Sequence, residues 1–519
     1  MSSRHVHRAT TLMPPQVPLP PLSQAPRLTR RGRWSERAAA RLDALLAIVP
    51  QDAAAALFAQ LPEPERWRGL HARDKPSAGT VRSTTLGNAR QTRAVLGYLP
   101  PRASAFETLA LAGRMFKELP SSQIESVGLT APAAGNAHTD ALEALLYAAL
   151  AEACALPTWR KVAARARRLR LIELAADASL DLEYVRTAAR GNNLARYLTA
   201  LPPNVLDARA YRRFIVALAR EHGLGVRWLD ETALRRLGAG AFLAVAAGNP
   251  ERSAGIAHLT YRPARRRGRA PDVALVGKGI LFDTGGTNLK PHRAMLDMHI
   301  DMSGSAVALA TLAALASLRA PIAADAWLAI TQNRIGASSY VPQDIVRAAN
   351  GVTIQVIHTD AEGRMVLADT LALAARRAPR LIMDFATLTG TCVHALTERM
   401  SGVFTNRPRL AEQLLAAGRN SGERVWSFPL DADYDTDIAS KVADVMQCAV
   451  EGKGDHILAA RFLGRFVPET TPWVHVDLSS ALRSGGLAQI NTDITGFGVR
   501  FALELLVKGR VLETLAERA

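Results

Sequence analysis

The stretch His-Thr-Asp-Ala-Glu-Gly-Arg at positions 358–364 decides how this sequence folds and what it can bind. A β-like run, Thr353 to Ile357, precedes it, and an apolar helical run begins at Met365. Its acidic residues therefore lie at a strand-to-helix turn, the edge where open α/β sheets bind ligands. In extended backbone Asp360 and Glu362 point the same way, and such carboxylates repel each other unless a cation lies between them. A second interpretation is a helix cap, with Asp360 capping the helix and Glu362 interacting favourably with its dipole.

A glycine-rich segment adds more charged groups to the same kind of position. The apolar run Asp272 to Val276 leads into it, and it carries two lysines, Lys278 and Lys290, with the aspartates Asp283 and Asp301. Glycines let backbone approach a bound group closely, so phosphate is the first ligand to consider. However, the G-x-x-x-x-G-K-[ST] spacing is absent, and the aspartates would repel phosphate. A pocket rich in carboxylates and poor in histidine instead suits divalent cations.

Several further blocks, taken in order with these, point to a family. They are Asn193-Leu-Ala-Arg196, Leu201-Pro-Pro-Asn-Val205, Lys278-Gly-Ile-Leu-Phe-Asp283, Lys290-Pro291, Asp301-Met302, Thr359-Asp-Ala-Glu-Gly-Arg364, Thr387-Leu-Thr-Gly390 and Trp473 to Leu478. Their order and spacing resemble the leucyl aminopeptidase family of two-metal exopeptidases, over roughly Asn192 to Ala502. Two departures stand out. His358 replaces the family's asparagine, and His475-Val-Asp-Leu-Ser-Ser480 replaces His-Leu-Asp-Ile-Ala-Gly, which changes the expected shape of the side-chain pocket.

The resemblance implies a set of site residues. Two divalent metal ions, Zn²⁺ or Mn²⁺ with Mg²⁺ as a third option, would be ligated by Lys278, Asp283, Asp301, Asp360 and Glu362. Lys290 would stabilise the oxyanion, and Arg364 would hold a bicarbonate that carries a proton to the leaving amine. A lysine ligates only when neutral, so bound metal must lower the pKa of Lys278. The positions that match the family's side-chain pocket are Met298, Thr387 and Gly390.

The implied activity is that of a hydrolase, a metal-dependent aminopeptidase. It would release amino-terminal residues from peptides, with a leucine-like preference, through a hydroxide activated by two metals. By the same resemblance we expect a cytoplasmic homohexamer whose active sites face an internal cavity.

The expected fold class is α/β. Strands predicted at Asp272–Val276, Thr353–Ile357 and Leu381–Ala386 alternate with helices, as in doubly wound folds, so their ends should meet at one edge. We predict a disordered basic and proline-rich tail at 1–35 and a smaller N-terminal α/β domain at 36–175. Helices are predicted in that domain at Glu36–Ile48 and Ala105–Phe116, and a strand is predicted further along the chain at Ala241–Ala246. A larger catalytic α/β domain should follow at 176–519, with a mixed, largely parallel sheet flanked by helices.

The amino-acid composition limits which partners and which compartment are expected. The 519 residues carry a net charge of +17, which raises nucleic acid as a partner, although an abundance of arginine also follows from coding bias. Three scattered cysteines, Cys154, Cys392 and Cys448, fit a reducing compartment. No apolar run is expected to reach membrane-spanning length, so no membrane partner is expected.

Two other functions stay open at this point. Paired metals and a lysine would also serve a phosphoesterase. The net charge of +17 allows a nucleic-acid-binding protein on an aminopeptidase scaffold. The basic runs Arg160 to Arg170 and Arg262 to Arg269 are expected to be solvated charged segments. The second run also lacks the aromatic residues that stack on bases, which argues against a nucleic-acid site there.

Overall fold

The computed structural model describes residues 25–73, 77–120, 124–132, 136–161, 169–175, 180–264 and 270–516. Residues 1–24, most of the basic run 160–170, and Arg265, Arg266, Arg267 and Arg269 lie outside the described residues.

The first sheet has six strands in the order β1-β6-β5-β2-β4-β3. Its strands are β1 (Arg27–Arg31), β2 (Ala44–Pro50), β3 (Val81–Thr85), β4 (Arg93–Leu99), β5 (Ser126–Thr130) and β6 (Leu171–Ala175). The helices in this part are α1 (Glu36–Ala39), α2 (Pro64–Ala72), α3 (Ala105–Lys117) and α4 (Asn136–Glu152), with a 3₁₀ helix at Ala55–Gln60. All neighbours pair in parallel except β3, which runs antiparallel to β4 at the edge.

Two predictions for this region are wrong. Strand β1 pairs in parallel with β6, so the described end of the proposed disordered tail is part of the sheet. The Arg31 guanidinium also pairs with Glu173 at 2.8 Å. The segment predicted as a helix from Glu36 to Ile48 contains only the short α1 before strand β2. Residues Ala44 to Val49 form a continuous apolar run that is buried throughout, as expected of a central parallel strand.

The second sheet has eight strands in the order β15-β14-β17-β13-β9-β10-β8-β7, and a third, smaller sheet has the order β11-β12-β16. The strands are β7 (Gly225–Asp230), β8 (Gly255–Tyr261), β9 (Val273–Asp283), β10 (Ala324–Asn333), β11 (Ile345–Arg347), β12 (Thr353–Gln355), β13 (Leu381–Ala386), β14 (Ser401–Thr405), β15 (Val425–Ser427), β16 (Val445–Met446) and β17 (Trp473–Asp477).

Helices cover both faces of the large sheet. They are α5 (Leu182–Thr199), α6 (Ala208–Glu221), α7 (Glu231–Arg236), α8 (Gly240–Ala246), α9 (His292–Met295), α10 (Ser303–Ser317), α11 (Glu362–Ala375), α12 (Gly390–Leu396), α13 (Ala411–Ser421), α14 (Asp455–Gly464), α15 (Val499–Leu503) and α16 (Val511–Ala516). Short 3₁₀ helices lie at Met298–Met302, Thr397–Arg399, Pro408–Leu410 and Ala432–Ile438, and a π-helical turn at Glu504–Lys508.

Strand β9 is the centre of the large sheet. It pairs in parallel with β10 on one side and β13 on the other, and β13 pairs in parallel with β17. The outer strands β8, β7 and β14 run antiparallel to their inner neighbours. The mixed, mostly parallel α/β architecture is therefore confirmed, and the carboxyl ends of β9, β10, β13 and β17 open onto one edge.

The predicted strand Thr353–Ile357 is shorter than expected and lies elsewhere. Strand β12 covers Thr353–Gln355 and pairs with β11 and β16 in the small sheet. It cannot join the large sheet beside β9, because β10 and β13 occupy both edges of that strand. The acidic turn at 358–364 thus approaches the sheet edge from outside it.

One helical stretch among the described residues, Met298–Ser317, is long and apolar enough to cross a membrane by length and composition. The expectation that no apolar run reaches that length is therefore wrong in those terms. Inside the fold, however, 83% of an 18-residue apolar window of this stretch is buried, which is the behaviour of a core helix.

Candidate metal centre

Five predicted ligands converge at the carboxyl edge of the large sheet. Lys278 lies inside β9 rather than in a loop, and Asp283 ends that strand. Asp301 lies in the 3₁₀ helix before α10, and Glu362 begins α11, just after Asp360. The structure brings all of them together, although they come from three separate parts of the sequence.

Three buried carboxylates form the core of the cluster. Ligand atoms of Asp283, Asp301 and Glu362 lie within 4.8 Å of one another. Asp301 Oδ2 and Glu362 Oε2 are buried and have no hydrogen-bond partner in the described part of the chain. A buried carboxylate oxygen without a donor is costly, so both atoms are free to bind a cation.

Lys278 is the counterion on the enclosed side of this cluster, with 4% of its side chain exposed. Its Nζ lies 2.8 Å from Asp301 Oδ1 and 3.0 Å from Glu362 Oε1, and it donates to the Thr387 carbonyl at 2.9 Å. Burial lowers the pKa of Lys278, but the Asp301 and Glu362 carboxylates outweigh burial and raise it well above its usual value. A Cβ on Gly363 would lie 2.6 Å from this Nζ, so glycine at 363 leaves room for the ammonium.

Lys290 is the counterion on the more exposed side of the cluster. Its Nζ lies 2.9 Å from Asp283 Oδ2 and 2.6 Å from Asp360 Oδ1, with 13% of its side chain exposed. Burial lowers the pKa of Lys290, but the Asp283 and Glu362 carboxylates raise it above its usual value. Burial and the same two carboxylates raise the pKa of Asp360 to about 7.

Charge balance favours added cations. The four carboxylates of the cluster and its two ammonium groups leave two formal negative charges when all are ionised. Together with the two orphan oxygens, this excess fits divalent cations bound by oxygen-rich ligands. The acidic residues Asp360 and Glu362 are therefore not explained by helix capping, and the side chain of neither caps α11, whose N-cap residue is Ala361.

Neutral side chains brace the ligands. Asn333, at the end of β10, donates to Asp283 Oδ1 at 2.8 Å and to the Thr359 carbonyl at 3.0 Å. The Tyr340 hydroxyl donates to the same carbonyl at 2.8 Å. Strand β10 and the loop after it thus hold the acidic turn against the end of β9.

The three predicted pocket residues lie beside the cluster but differ in their contacts. The Thr387 hydroxyl donates to Asp301 Oδ1 at 2.8 Å, so this residue also orients a ligand. Met298 is half-buried at the start of its 3₁₀ helix. Gly390 is exposed at the start of α12, and a Cβ there would meet no described atom within 4 Å. Their part in a substrate pocket stays a prediction.

Arg364 does not fit the expected bicarbonate. Its guanidinium is buried and binds both carboxylate oxygens of Asp455, Nη1 to Oδ1 at 2.9 Å and Nη2 to Oδ2 at 2.6 Å. The Gln447 carbonyl accepts a further bond from Nη1 at 3.3 Å. A protein carboxylate already fills the edge of the guanidinium formed by Nη1 and Nη2, so a free anion of the same shape has no place on that edge. The Nε atom of Arg364 is also buried and has no hydrogen-bond partner in the described part of the chain.

Sequence reasoning missed the residues that support this centre. Asp477, at the end of β17, accepts from the Leu388 amide at 3.1 Å and from the Thr389 hydroxyl at 2.7 Å, and so fixes the loop that carries Thr387. Its place in the block Trp473 to Leu478 was a usable signal. Asp455 and Asn333 lie in no block of the resemblance, so only the structure identifies them.

Comparison with known proteins agrees with this geometry. The profile of the cytosol aminopeptidase family, catalytic domain, matches residues 193–503. A probable cytosol aminopeptidase of Syntrophotalea carbinolica is 42% identical over 329 residues, which cover 63% of this chain and 65% of that relative. A probable cytosol aminopeptidase of Synechococcus sp. (strain CC9605) is 38% identical over 429 residues, covering 80% of this chain and 86% of that relative.

Solved structures show the same fold over most of the chain. A tomato leucine aminopeptidase mutant superposes with a TM-score of 0.82 at 26% identity, covering 94% of this chain and 98% of that one. The bottromycin maturation enzyme BotP in complex with Mn superposes with a TM-score of 0.78 at 30% identity, covering 90% and 99%. The resemblance seen in the sequence is confirmed: this chain belongs to the cytosol aminopeptidase family and is a metallopeptidase of the leucyl aminopeptidase type.

Proposed function

We propose that this protein removes the first residue of peptides with a free amino terminus, preferring leucine-like side chains, at the centre between β9 and α11. The observation that carries the proposal is the buried cluster of Asp283, Asp301 and Glu362, in which Asp301 and Glu362 each have one oxygen without a hydrogen-bond partner in the described residues. Peptides are the substrates that the family membership implies.

The chain's own residues divide into holders and stabilisers. Lys278, Asp283, Asp301, Asp360 and Glu362 would hold two divalent cations, Zn²⁺ or Mn²⁺ with Mg²⁺ as a third option. When bound, these cations would lower the pKa of a shared water and polarise the scissile carbonyl.

Lys290 has the position of an oxyanion stabiliser. It is the more exposed of the two lysines and lies on the side of Asp360, whereas Lys278 is enclosed behind the cluster. A fixed ammonium beside the scissile carbonyl favours the negative charge that develops on its oxygen.

The remaining assignments extend the family likeness. Met298, Thr387 and Gly390 would line the pocket for the first side chain. A domain boundary near residue 175 would lie between the strands of the first sheet and those of the large sheet. A cytoplasmic homohexamer with active sites facing an internal cavity follows from the same likeness. A monomeric mass at micromolar concentration would contradict the assembly.

The direct test starts from metal-free protein. A panel of aminoacyl amides is assayed after adding back Zn²⁺, Mn²⁺ or Mg²⁺ separately, with phosphomonoesters and duplex DNA as parallel arms. We expect amide turnover that depends on added metal and is greatest for leucine-like residues. The matched Glu362→Gln variant should bind less metal and lose nearly all turnover, since a neutral amide cannot offset two close cations. Turnover of phosphomonoesters alone, or metal-independent DNA binding alone, would replace this proposal with one of the alternatives.

A further inference from the structure

The pair of Arg364 and Asp455 is the part of the centre that departs from the resemblance. Only 2% of the Arg364 side chain is exposed, and 21% of Asp455. Two parallel hydrogen bonds between a guanidinium and a carboxylate are both strong and geometrically specific. Within the described residues, the hydrogen bonds of the Asp455 carboxylate are these two with Arg364.

Neighbouring contacts fix the pair beside the ligand turn. Arg364 lies in the first turn of α11, two residues after Glu362. The Gln447 side chain donates to the Ala361 carbonyl at 2.9 Å and accepts from the His358 amide at 3.1 Å. The backbone carbonyl of Gln447 accepts from Arg364. The segment that leads to Asp455 is therefore tied to the acidic turn itself.

The other side of Asp455 is equally fixed. It is the first residue of α14, and Gly454 before it has a left-handed backbone, with φ of 62°. The next amide, that of His456, donates to the Thr391 hydroxyl at 2.9 Å, which joins α14 to α12. A carboxylate in the first turn of a helix is also favoured by the helix dipole. The backbone contacts on both sides of Asp455 therefore fix where its carboxylate lies.

The structure assigns to Asp455 the place of the anion at Arg364, so that this enzyme carries its own carboxylate there and works without bicarbonate. This inference rests on the proposed peptidase function. A carboxylate and bicarbonate present the same pair of oxygens to a guanidinium fork, and both cannot occupy it together.

The chemistry available to Asp455 is that of a proton carrier. Its carboxylate can take one proton from the attacking water and give that proton to the departing amine. Water and peptide are consumed, a free amino acid and a shortened peptide are formed, and Asp455 ends the turnover in its starting state.

Chemical rescue tests the assignment. The metal-loaded enzyme and its Asp455→Ala variant are assayed in buffer stripped of carbon dioxide and then with added bicarbonate. The unmodified enzyme should show the same rate in both. The variant should lose roughly 10²-fold in kcat, the lower range for loss of a proton carrier, and should regain much of it with bicarbonate. Asp455→Asn keeps the side chain's volume, so it should lose activity without rescue.

A second readout does not depend on turnover. Calorimetric titration with bicarbonate should show no binding to the unmodified enzyme and saturable binding to Asp455→Ala, where the guanidinium fork is vacant. Asp435→Ala is the matched control, because Asp435 makes the same two-bond pair with Arg461 on α14 at 2.7 and 2.6 Å. It should gain neither bicarbonate binding nor dependence.

Three results would overturn the assignment. They are loss of the unmodified enzyme's activity on removing bicarbonate, saturable bicarbonate binding to the unmodified enzyme, or a folded Asp455→Ala variant that neither binds bicarbonate nor is rescued. Failure of the peptidase proposal is distinguishable, because it would abolish amide turnover in every variant while the titration still decides what Arg364 binds.

Discussion

The ammonium of Lys278, inside the central strand β9, lies 2.8 Å from the Asp301 carboxylate, and both side chains are buried. Without metal this lysine is a counterion, since Asp301 and Glu362 hold its pKa above its usual value despite burial. As a metal ligand it must be neutral, so the two roles differ by one proton.

Metal binding should therefore release protons and tighten as pH rises. The sign follows from the raised pKa of Lys278: the protonated ammonium competes with the cation, and raising pH removes that competition. Calorimetry in buffers of different ionisation enthalpy measures the protons released. Lys278→Gln should release about one proton fewer than the unmodified protein. Equal release from both would show that Lys278 keeps its proton and is not a ligand.

Mutation of Lys278 and mutation of Lys290 should affect different properties of the enzyme. Lys278→Ala should lower metal occupancy, because it removes a ligand. Lys290→Ala should keep both metals while kcat falls by roughly 10²–10³, the usual loss for one oxyanion donor. Metal analysis after gel filtration and steady-state kinetics on leucine amide give the two quantities. Equal metal loss from both variants would contradict the division of roles.

Asp477 should act on the centre through the loop that it holds. Replacing it with asparagine leaves the Leu388 and Thr389 donors without a carboxylate, which loosens Thr387 and its contacts with Lys278 and Asp301. We expect metal affinity and kcat to fall by about 10–100-fold, the usual effect of losing a residue that orients a ligand.

Asp369→Asn is the control for Asp477→Asn. Asp369 is also buried and accepts two backbone amides, those of Phe242 and Ala349, but it contacts none of the five predicted ligands in the described residues. It should lower the melting temperature and leave metal affinity unchanged. The same metal affinity in Asp477→Asn and the unmodified protein would remove Asp477 from the centre.

Two deletions at the amino terminus, one ending at residue 24 and one at residue 31, should differ in their effect on stability. Deleting residues 1–24 should leave the melting temperature unchanged, since their sequence lacks apolar periodicity. Deleting residues 1–31 removes β1, its pairing with β6 and the Arg30 bond to the Leu180 carbonyl at 2.6 Å. The longer deletion should therefore lower the melting temperature by several degrees in a thermal scan. Equal melting of both truncated proteins would show that β1 adds nothing to stability.

Long periodic segments could be predicted from the sequence, and short ones could not. Helix α3 lies where the pattern placed it, because its apolar residues recur at helical spacing over 13 residues. The apolar run Ala241–Ala246 was predicted as a strand but is helix α8, since so short a run has no clear period. Strand β12 was assigned to the wrong sheet, because strand partners depend on which edges are already filled.

The ligand cluster could be predicted because its residues lie in blocks of fixed spacing, and the structure brings Lys278, Asp283, Asp301, Asp360 and Glu362 together. The partner of Arg364 could not be predicted from the sequence. Asp455 lies 91 positions further along the chain, and nothing in the sequence couples the two. A cofactor inferred from one residue alone is therefore less secure than a ligand set inferred from five.

The last prediction concerns what fixes the cleavage position. A free α-amine held beside the scissile carbonyl would place the cut one residue from the chain start, and its lone pair must be available. Activity should thus rise as pH passes the α-amino pKa of about 7.7–8.0, although ionisation of other groups at the centre overlaps that limb. The sharper measurement compares Leu-Gly-Gly with its amino-acetylated form at equal concentration on metal-loaded enzyme. Acetylation removes the basic amine and leaves the scissile bond and leucine side chain intact, so turnover should be lost. Cleavage of both peptides at similar rates would show that the amine does not anchor the substrate, and that this protein is not an aminopeptidase in mechanism.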